Sequence, residues 1–455
     1  MIDLSQINKL LENSTENPAK IREVLVKAKQ AKGLNLEDVA TLISIKNPEL
    51  IHELFTAAAQ VKNEIYGNRI VLFAPLYISN MCSNECLYCA FRATNKAVNR
   101  RVLTQDEITS ETKNLVDLGH KRILVVAGES HSDKYLDYVI KAIENIYKVK
   151  SSKGEVRRLN ANIAPLSIDD FRRLKTANIG TYQLFQETYD PITYKNVHVG
   201  GKKMDYDWRL SAIERAIQAG IDDVGIGVLF GLADWRFEIL ALLQHVNYLN
   251  AKFGIGPHTI SVPRLEPAIG SEIATNPPHK VSDFDFYKII AILRLSVPYT
   301  GIILSTRESA EIRCKALALG VSQVSAGSKT NPGGYAKDDE NAGQFSLGDH
   351  RSLDEVVKDI TSLNYLPSFC TACYRSERTG KAFMDLAKSG QIKNMCQPNA
   401  LLTFAEYLID YAAQDTRNIG EKFITQELSK IPEKQGALLT KMLEKIKTGK
   451  RDLYI

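Results

Sequence analysis

The chain has no apolar run approaching about 18 residues, the span a membrane helix requires, so no membrane partner is expected. Its start also lacks a basic segment followed by a continuous apolar stretch. Met1 to Leu11 instead mixes apolar with acidic and polar positions in an amphipathic helical pattern, which predicts a cytoplasmic protein rather than a secreted one. Excess charge is missing: 58 Lys and Arg against 53 Asp and Glu leave +5, which makes no case for nucleic acid. The short basic runs Asn99-Arg100-Arg101 and Lys202-Lys203 read as solvated surface. The even cysteine count of a secreted disulfide framework is absent as well, since the seven cysteines fall as three, one and three. With 44% hydrophobic residues over 455, the chain can bury a large core.

What the sequence does contain is a cysteine triplet. Cys82, Cys86 and Cys89 are spaced C-x3-C-x2-C directly after an apolar strand at 70–77. Three thiolates on one loop suit three corners of a cubic iron–sulfur cluster and leave the fourth iron without a protein ligand. Zinc is the alternative, but neither a four-ligand structural site nor an open catalytic one calls for this loop, or for Phe91 two residues beyond the last cysteine. The spacing resembles the signature of the radical-SAM superfamily, in which the residue before the last cysteine is usually aromatic, as Tyr88 is. That resemblance implies S-adenosylmethionine (SAM) chelated at the open iron and cleaved to a 5′-deoxyadenosyl radical.

Eight β-rich runs, at 69–77, 122–127, 156–164, 180–186, 223–230, 258–263, 301–305 and 322–326, are each followed by a helical pattern. This alternation predicts an α/β protein with a parallel (β/α)8 barrel, whose chemistry belongs at the C-terminal strand ends. Thr104 with Glu107 forms a capping box, and Ser167 with Asp169 and Asp170 starts another helix. Residues 1–65 read as a helical lead-in, 66–348 as the barrel and 349–455 as a mainly helical cluster-binding domain. Within it, Ser352 and Glu355 cap a first helix, and others are expected near 400–414, 422–430 and 434–447. The polar, glycine-rich stretch 329–348 is a linker or a loop over the barrel.

Cys370, Cys373 and Cys396 make a second triplet, C-x2-C-x22-C. No histidine follows His350, so a closed four-ligand zinc site has no evident fourth ligand in this segment. A second cluster with an open iron fits better, against a metal centre that only ties the tail together. Cys314 is expected to be a buried small hydrophobe.

Over nearly its whole length the sequence resembles the HydG family, radical-SAM tyrosine lyases that mature FeFe-hydrogenases. The resemblance runs through 64–77, 179–189, 220–232, 256–264, 303–308, 325–328 and the second triplet. The triplet is the specific part, because the sister 2-iminoacetate synthases of thiazole biosynthesis share the barrel motifs without it. The resemblance implies cleavage of L-tyrosine to p-cresol and dehydroglycine. Dehydroglycine then becomes carbon monoxide and cyanide at the auxiliary cluster, and these leave on iron for the hydrogenase active site. It implies two 4Fe–4S clusters, SAM, a reductant such as ferredoxin or flavodoxin, and other maturation proteins as partners.

Position by position, the resemblance makes Cys82, Cys86 and Cys89 the SAM-cluster ligands. Cys370, Cys373 and Cys396 become the auxiliary ligands, and His258 the ligand of an extra iron. Gly128 and Glu129 match the motif for the SAM amino group; Glu187 and Arg209 are candidates for its ribose and carboxylate. Tyr88 and Phe91 flank the cofactor. Arg307, with Ser305, Ser325 and Ser328, is the candidate grip on tyrosine, a planar guanidinium suiting a carboxylate. His131 and Lys329 depart from the pattern, where proline and arginine are commoner. A 2-iminoacetate synthase, a non-catalytic iron–sulfur scaffold and an enzyme for another aromatic amino acid are the alternatives.

Overall fold

A computed structural model of the chain describes residues 1–337, 339–376 and 378–455. Asp338, in the polar stretch, and Glu377, just after the second triplet's C-x2-C, lie outside the described residues. Eight parallel strands close into a barrel: β1 (Arg69–Ser79), β2 (Arg122–Ala127), β3 (Arg158–Asn162), β4 (Thr181–Gln183), β5 (Asp223–Gly227), β6 (Thr259–Ser261), β7 (Gly301–Leu304) and β8 (Gln323–Ser325). All eight fall on the runs read from the sequence. β8 returns to β1, with Val71, Leu72 and Phe73 opposite Gln323, Val324 and Ser325.

The period-two pattern of a strand divides β1 between two environments. Ile70, Leu72, Ala74, Leu76 and Ile78 join the main apolar core, while Val71, Phe73 and Tyr77 line cavities inside the barrel. Barrels of this type are usually filled by branched aliphatic side chains. Here the cavity-lining strand positions include Asn162, Gln183, Ser261, Gln323 and Ser325, which offer hydrogen bonds instead of close packing.

Helices cover the outside, starting where the sequence marks them. Thr104 and Glu107 form a reciprocal capping box on Gln105–Asp117, as do Ser352 and Glu355 on Leu353–Ser362. Ahead of the barrel come α1 (Leu4–Glu12), α2 (Pro18–Ala28), α3 (Leu36–Ile43) and α4 (Pro48–Tyr66). α4 packs on the helix Asp283–Ser296, and its buried positions include an apolar stripe of Leu50, Leu54, Ala58, Val61 and Ile65. Each large aliphatic side chain buried there contributes about 1.5–3 kcal/mol. Lys288 on the partner helix reaches back to the carbonyls of Ile43 and Ile45, at 2.7 and 2.6 Å.

A ninth strand escaped the sequence reading. β9 (Leu366–Ser368) adds in parallel to the first residues of β1, with Arg69 opposite Leu366 and Val71 opposite Ser368; β2 takes over pairing from Ala74 onward. Three residues that include a proline carry no readable period. The pairing brings Cys370 against β2, where Arg122 Nη2 donates to Cys370 O at 3.0 Å. The helix expected from about residue 400 begins at Ile392 and carries Cys396. Pro398 inside it disguised that start, since it lacks the amide that would bond Asn394 O. Gln435 Nε2 donates to that carbonyl instead, at 3.3 Å. Among the described residues no helix is long and apolar enough to cross a membrane.

Candidate functional site

The C-terminal strand ends open into a cavity that is continuous with solvent. Cys82, Cys86 and Cys89 follow β1 and line it together with Tyr88 and Phe91. Backbone contacts hold the cysteine loop: Glu85 and Leu87 donate their N–H groups to Gly200 O and Val197 O, both at 2.9 Å, and Ser83 N–H donates to Glu129 O at 3.0 Å. Arg100 is not solvated surface. Its guanidinium donates to the carbonyls of Asn80, Phe91, Arg92 and Asn95 and staples the loop from behind. Tyr88 OH hydrogen-bonds His198 Nε2 at 2.9 Å. Gly128, just after β2, has no room for a side chain, because a Cβ there would stand 2.4 Å from Met81 O. Glycine is what allows this strand end to approach the cysteine loop. Burial pushes Cys82 and Cys89 up to about 11 and Cys86 up to about 12; iron coordination ionises thiols outright, so the three sulfurs can serve as cluster ligands.

Next to the sulfurs runs a buried ionic chain. Lys203 Nζ pairs with Glu187 Oε1 at 2.7 Å, and Arg209 reaches Glu187 Oε1 at 3.4 Å and Glu129 Oε1 at 2.9 Å. Asn84 Nδ2 donates to Glu129 Oε2 at 2.8 Å. Arg209 is buried and donates through Nε to Phe185 O at 2.8 Å. Lys203, taken for surface in the sequence, is a cavity residue with only 8% of its side chain exposed. Its exposed neighbour Lys202 disguised it, since a short 3-10 turn sends the two lysines different ways. Against the upward push of burial, Arg209 and Lys203 hold Glu129 below the usual carboxylate range. Glu187 sits at φ +72°, a left-handed conformation that costs a non-glycine residue about 1–3 kcal/mol and that its two cationic partners hold.

Arg307, after β7, faces the same cavity. Glu308 is not its partner, because Arg264 takes Glu308 through two hydrogen bonds, one of them 2.9 Å. The Arg307 guanidinium lies 3.3 Å from the centre of the Phe345 ring and has no ion pair among the described residues. Ser305 Oγ accepts Arg307 N–H at 3.4 Å and Ser325 Oγ accepts Thr306 N–H at 3.1 Å. Ser328 Oγ is buried with no hydrogen-bond partner among the described residues. All three serines line the cavity. A free guanidinium and an orphaned hydroxyl around one space form a seat for a carboxylate.

The described residues of 329–348 form the loop over the barrel, not a linker. Glu111 accepts the N–H groups of Tyr335 and Ala336 at 3.0 and 2.6 Å, Tyr335 OH donates to Pro75 O at 2.7 Å, and Gln344 and Phe345 close one wall. Of the two departures, His131 Nε2 accepts Lys202 N–H at 3.1 Å, and Lys329 N–H donates to Tyr335 OH at 3.2 Å. Cys314 is half-buried rather than core, and its Sγ lies 3.1 Å from Asp359 Oδ2.

A second cavity lies at the N-terminal strand ends and is lined by Cys370, Cys373, Cys396 and His258. Distant segments supply them: β9 leads into the first two, the helix Ile392–Asp410 carries the third, and His258 precedes β6. The His258 ring packs 4.1 Å from Phe383, with Nδ1 3.5 Å from Asp223 Oδ1. Burial holds the imidazole below its usual range, hence in the neutral form that ligates metals. Arg69 and Arg122 line the cavity, and Arg158 stacks on Tyr374 at 3.5 Å. Cys396 is held below the usual thiol range, first by a hydrogen bond with Cys373 and then by the charges of Arg69, Arg378 and Arg122. Arg69 Nε, Arg122 Nε, His258 Nδ1 and Thr371 Oγ1 are buried without hydrogen-bond partners among the described residues. Three thiols and an imidazole under unpaired cations suit an anionic thiolate-ligated centre.

Residues 76–243 match the radical SAM superfamily and residues 261–366 the Biotin and Thiamin Synthesis associated domain. The barrel with its cysteine loop at the C-terminal mouth therefore defines a radical-SAM protein, the class that carries a 4Fe–4S cluster and SAM. The 2-iminoacetate synthases of Salmonella typhimurium and Escherichia coli are 32% and 31% identical to it over 342 residues, 75% of this chain and 88% of theirs. The crystal structure of HydG, a maturase of the FeFe-hydrogenase, superposes with a TM-score of 0.97 at 47% identity, covering 100% of this chain and 99% of the other. HydG from Carboxydothermus hydrogenoformans gives 0.84 at 44% identity over 96% of each. The chain belongs to the HydG family of radical-SAM enzymes.

Proposed function

We propose that this chain is an FeFe-hydrogenase maturase that cleaves L-tyrosine to p-cresol and dehydroglycine in the upper cavity. Dehydroglycine is converted to carbon monoxide and cyanide in the lower one, where Cys370, Cys373 and Cys396 hold an auxiliary 4Fe–4S cluster. The observation that carries this reading is the lower cavity. An enzyme that stopped at dehydroglycine has no use for three cysteines, a neutral histidine and unpaired cations gathered at the opposite end of the barrel.

Cys82, Cys86 and Cys89 hold the first cluster, which when bound supplies the electron that cleaves SAM to the 5′-deoxyadenosyl radical. Glu129 and Arg209 receive the SAM ammonium and carboxylate. Their own 2.9 Å pair keeps both charges in place, and a zwitterion replaces that one ion pair with two. Gly128 lets the backbone approach the amino group, Glu187 accepts from the ribose hydroxyls, and Lys203 holds the Glu187 carboxylate in place. Tyr88 and Phe91 wall the cofactor. Arg307 takes the tyrosine carboxylate in a forked pair, Ser328 Oγ gives its orphaned hydroxyl to the amino acid, and Ser305 and Ser325 fix the backbone that presents them. At the lower end His258 holds an extra iron, and Arg69 and Arg122 balance thiolate charge. The protein acts in the cytoplasm with a reductant such as ferredoxin or flavodoxin and with other maturation proteins.

The test is one anaerobic assay of reconstituted enzyme with dithionite, SAM and tyrosine. p-Cresol, carbon monoxide and cyanide are expected together. Cresol without the two gases would make the chain a 2-iminoacetate synthase, and neither cresol nor deoxyadenosine would make it a scaffold.

A further inference from the structure

Gln344 lies on the loop over the barrel mouth, 255 positions from Cys89 in sequence, yet its Nε2 stands 3.8 Å from Cys89 Sγ. Its Oε1 is 2.7 Å from the Tyr77 hydroxyl. A cluster-bound sulfur only accepts hydrogen bonds, so the amide must turn its NH2 toward Cys89, and the Tyr77 O–H then donates to the amide oxygen and fixes that orientation. Cys89 Sγ also accepts the Phe91 backbone N–H at 3.4 Å. Among the described residues, Gln344 is the side chain that donates to any of Cys82, Cys86 and Cys89. Hydrogen bonds to cluster sulfurs help set reduction potential, because they stabilise the more negative, reduced state.

We propose that Gln344 is a positioning residue of the radical-generating site: its amide, aimed by Tyr77 at the Cys89 sulfur, raises the reduction potential of the cluster held there. The inference rests on Cys82, Cys86 and Cys89 being the cluster ligands. The test compares full-length reconstituted wild type, Gln344→Leu and Tyr77→Phe. Iron is quantified, and an anaerobic redox titration follows the electron paramagnetic resonance signal that responds to SAM. At a fixed ambient potential the reduced-to-oxidised ratio should fall about tenfold in Gln344→Leu, about 59 mV for a one-electron couple, with iron content unchanged. Tyr77→Phe should fall in the same direction by less, because the amide is still present but no longer held. Equal ratios in all three proteins with iron intact would overturn the proposal. Should Gln344→Leu lose its iron, Tyr77→Phe decides alone: a lowered ratio supports the proposal, and an unchanged one ends it. A wild type with no SAM-responsive signal would instead refute the ligand assignment, and this inference with it.

Discussion

At the upper mouth, Cys82, Cys86 and Cys89 come from one loop and face carboxylates and cations joined in ion pairs; at the lower end, Cys370, Cys373 and Cys396 come from two segments and face Arg69 and Arg122. Among the described residues no acidic side chain lines the lower cavity. The difference teaches what each end is suited to hold. Paired charges can exchange partners with the ammonium and carboxylate of an amino-acid group such as the methionyl end of SAM. Unpaired cations under thiols favour a centre that brings its own negative charge, and they are costly to bury without it.

That contrast can be broken at either end. The largest effect is expected from Cys86→Ala, which should bring deoxyadenosine, p-cresol and carbon monoxide to background together, as measured by chromatography and gas capture. Cys370→Ala with Cys373→Ala should abolish carbon monoxide and leave p-cresol near the wild-type rate; joint loss of both products would end the division of labour between the two cavities. Arg307→Lys keeps the charge but loses the planar fork, and should raise the KM for tyrosine by about tenfold to a hundredfold, roughly 1.5–3 kcal/mol. SAM affinity by calorimetry should stay unchanged in that variant.

The smallest effects sharpen the electrostatic contrast. Lys203→Met leaves Glu187 with only the 3.4 Å contact to Arg209 and should cost about 1–3 kcal/mol in anaerobic denaturant unfolding, less than a fully stranded buried charge. Arg122→Met at the lower end should move the stability of the metal-free chain by under about 1 kcal/mol, since a lost hydrogen bond to Cys370 O is offset by a removed buried cation. It should nevertheless reduce iron retained by the second triplet. Equal stability losses in the two variants would erase the distinction drawn between the ends.

The barrel was legible because strand and helix alternate with clean periods, and each of the eight predicted runs holds a strand. The upper cysteines were legible for a similar reason, since their spacing is local. β9 was not, because three residues in an edge pairing have no period of their own, and only the partner strand makes them a strand. Lys203 was hidden by composition: two adjacent lysines look alike in sequence, and only the turn at Lys202–Met204 separates the one in water from the one on Glu187. Arg100 was lost the same way, its partners being four backbone carbonyls that no sequence pattern reveals. Gln344 carried no signal at all, because its contacts depend on where a covering loop comes to rest.

Val71 lines the lower chamber and Phe73 the upper one. Along this wall the two cavities are therefore only two residues apart, roughly 7 Å of strand rise. The two chambers thus share β1 as a common wall, with neighbouring inward positions of one strand assigned to different spaces.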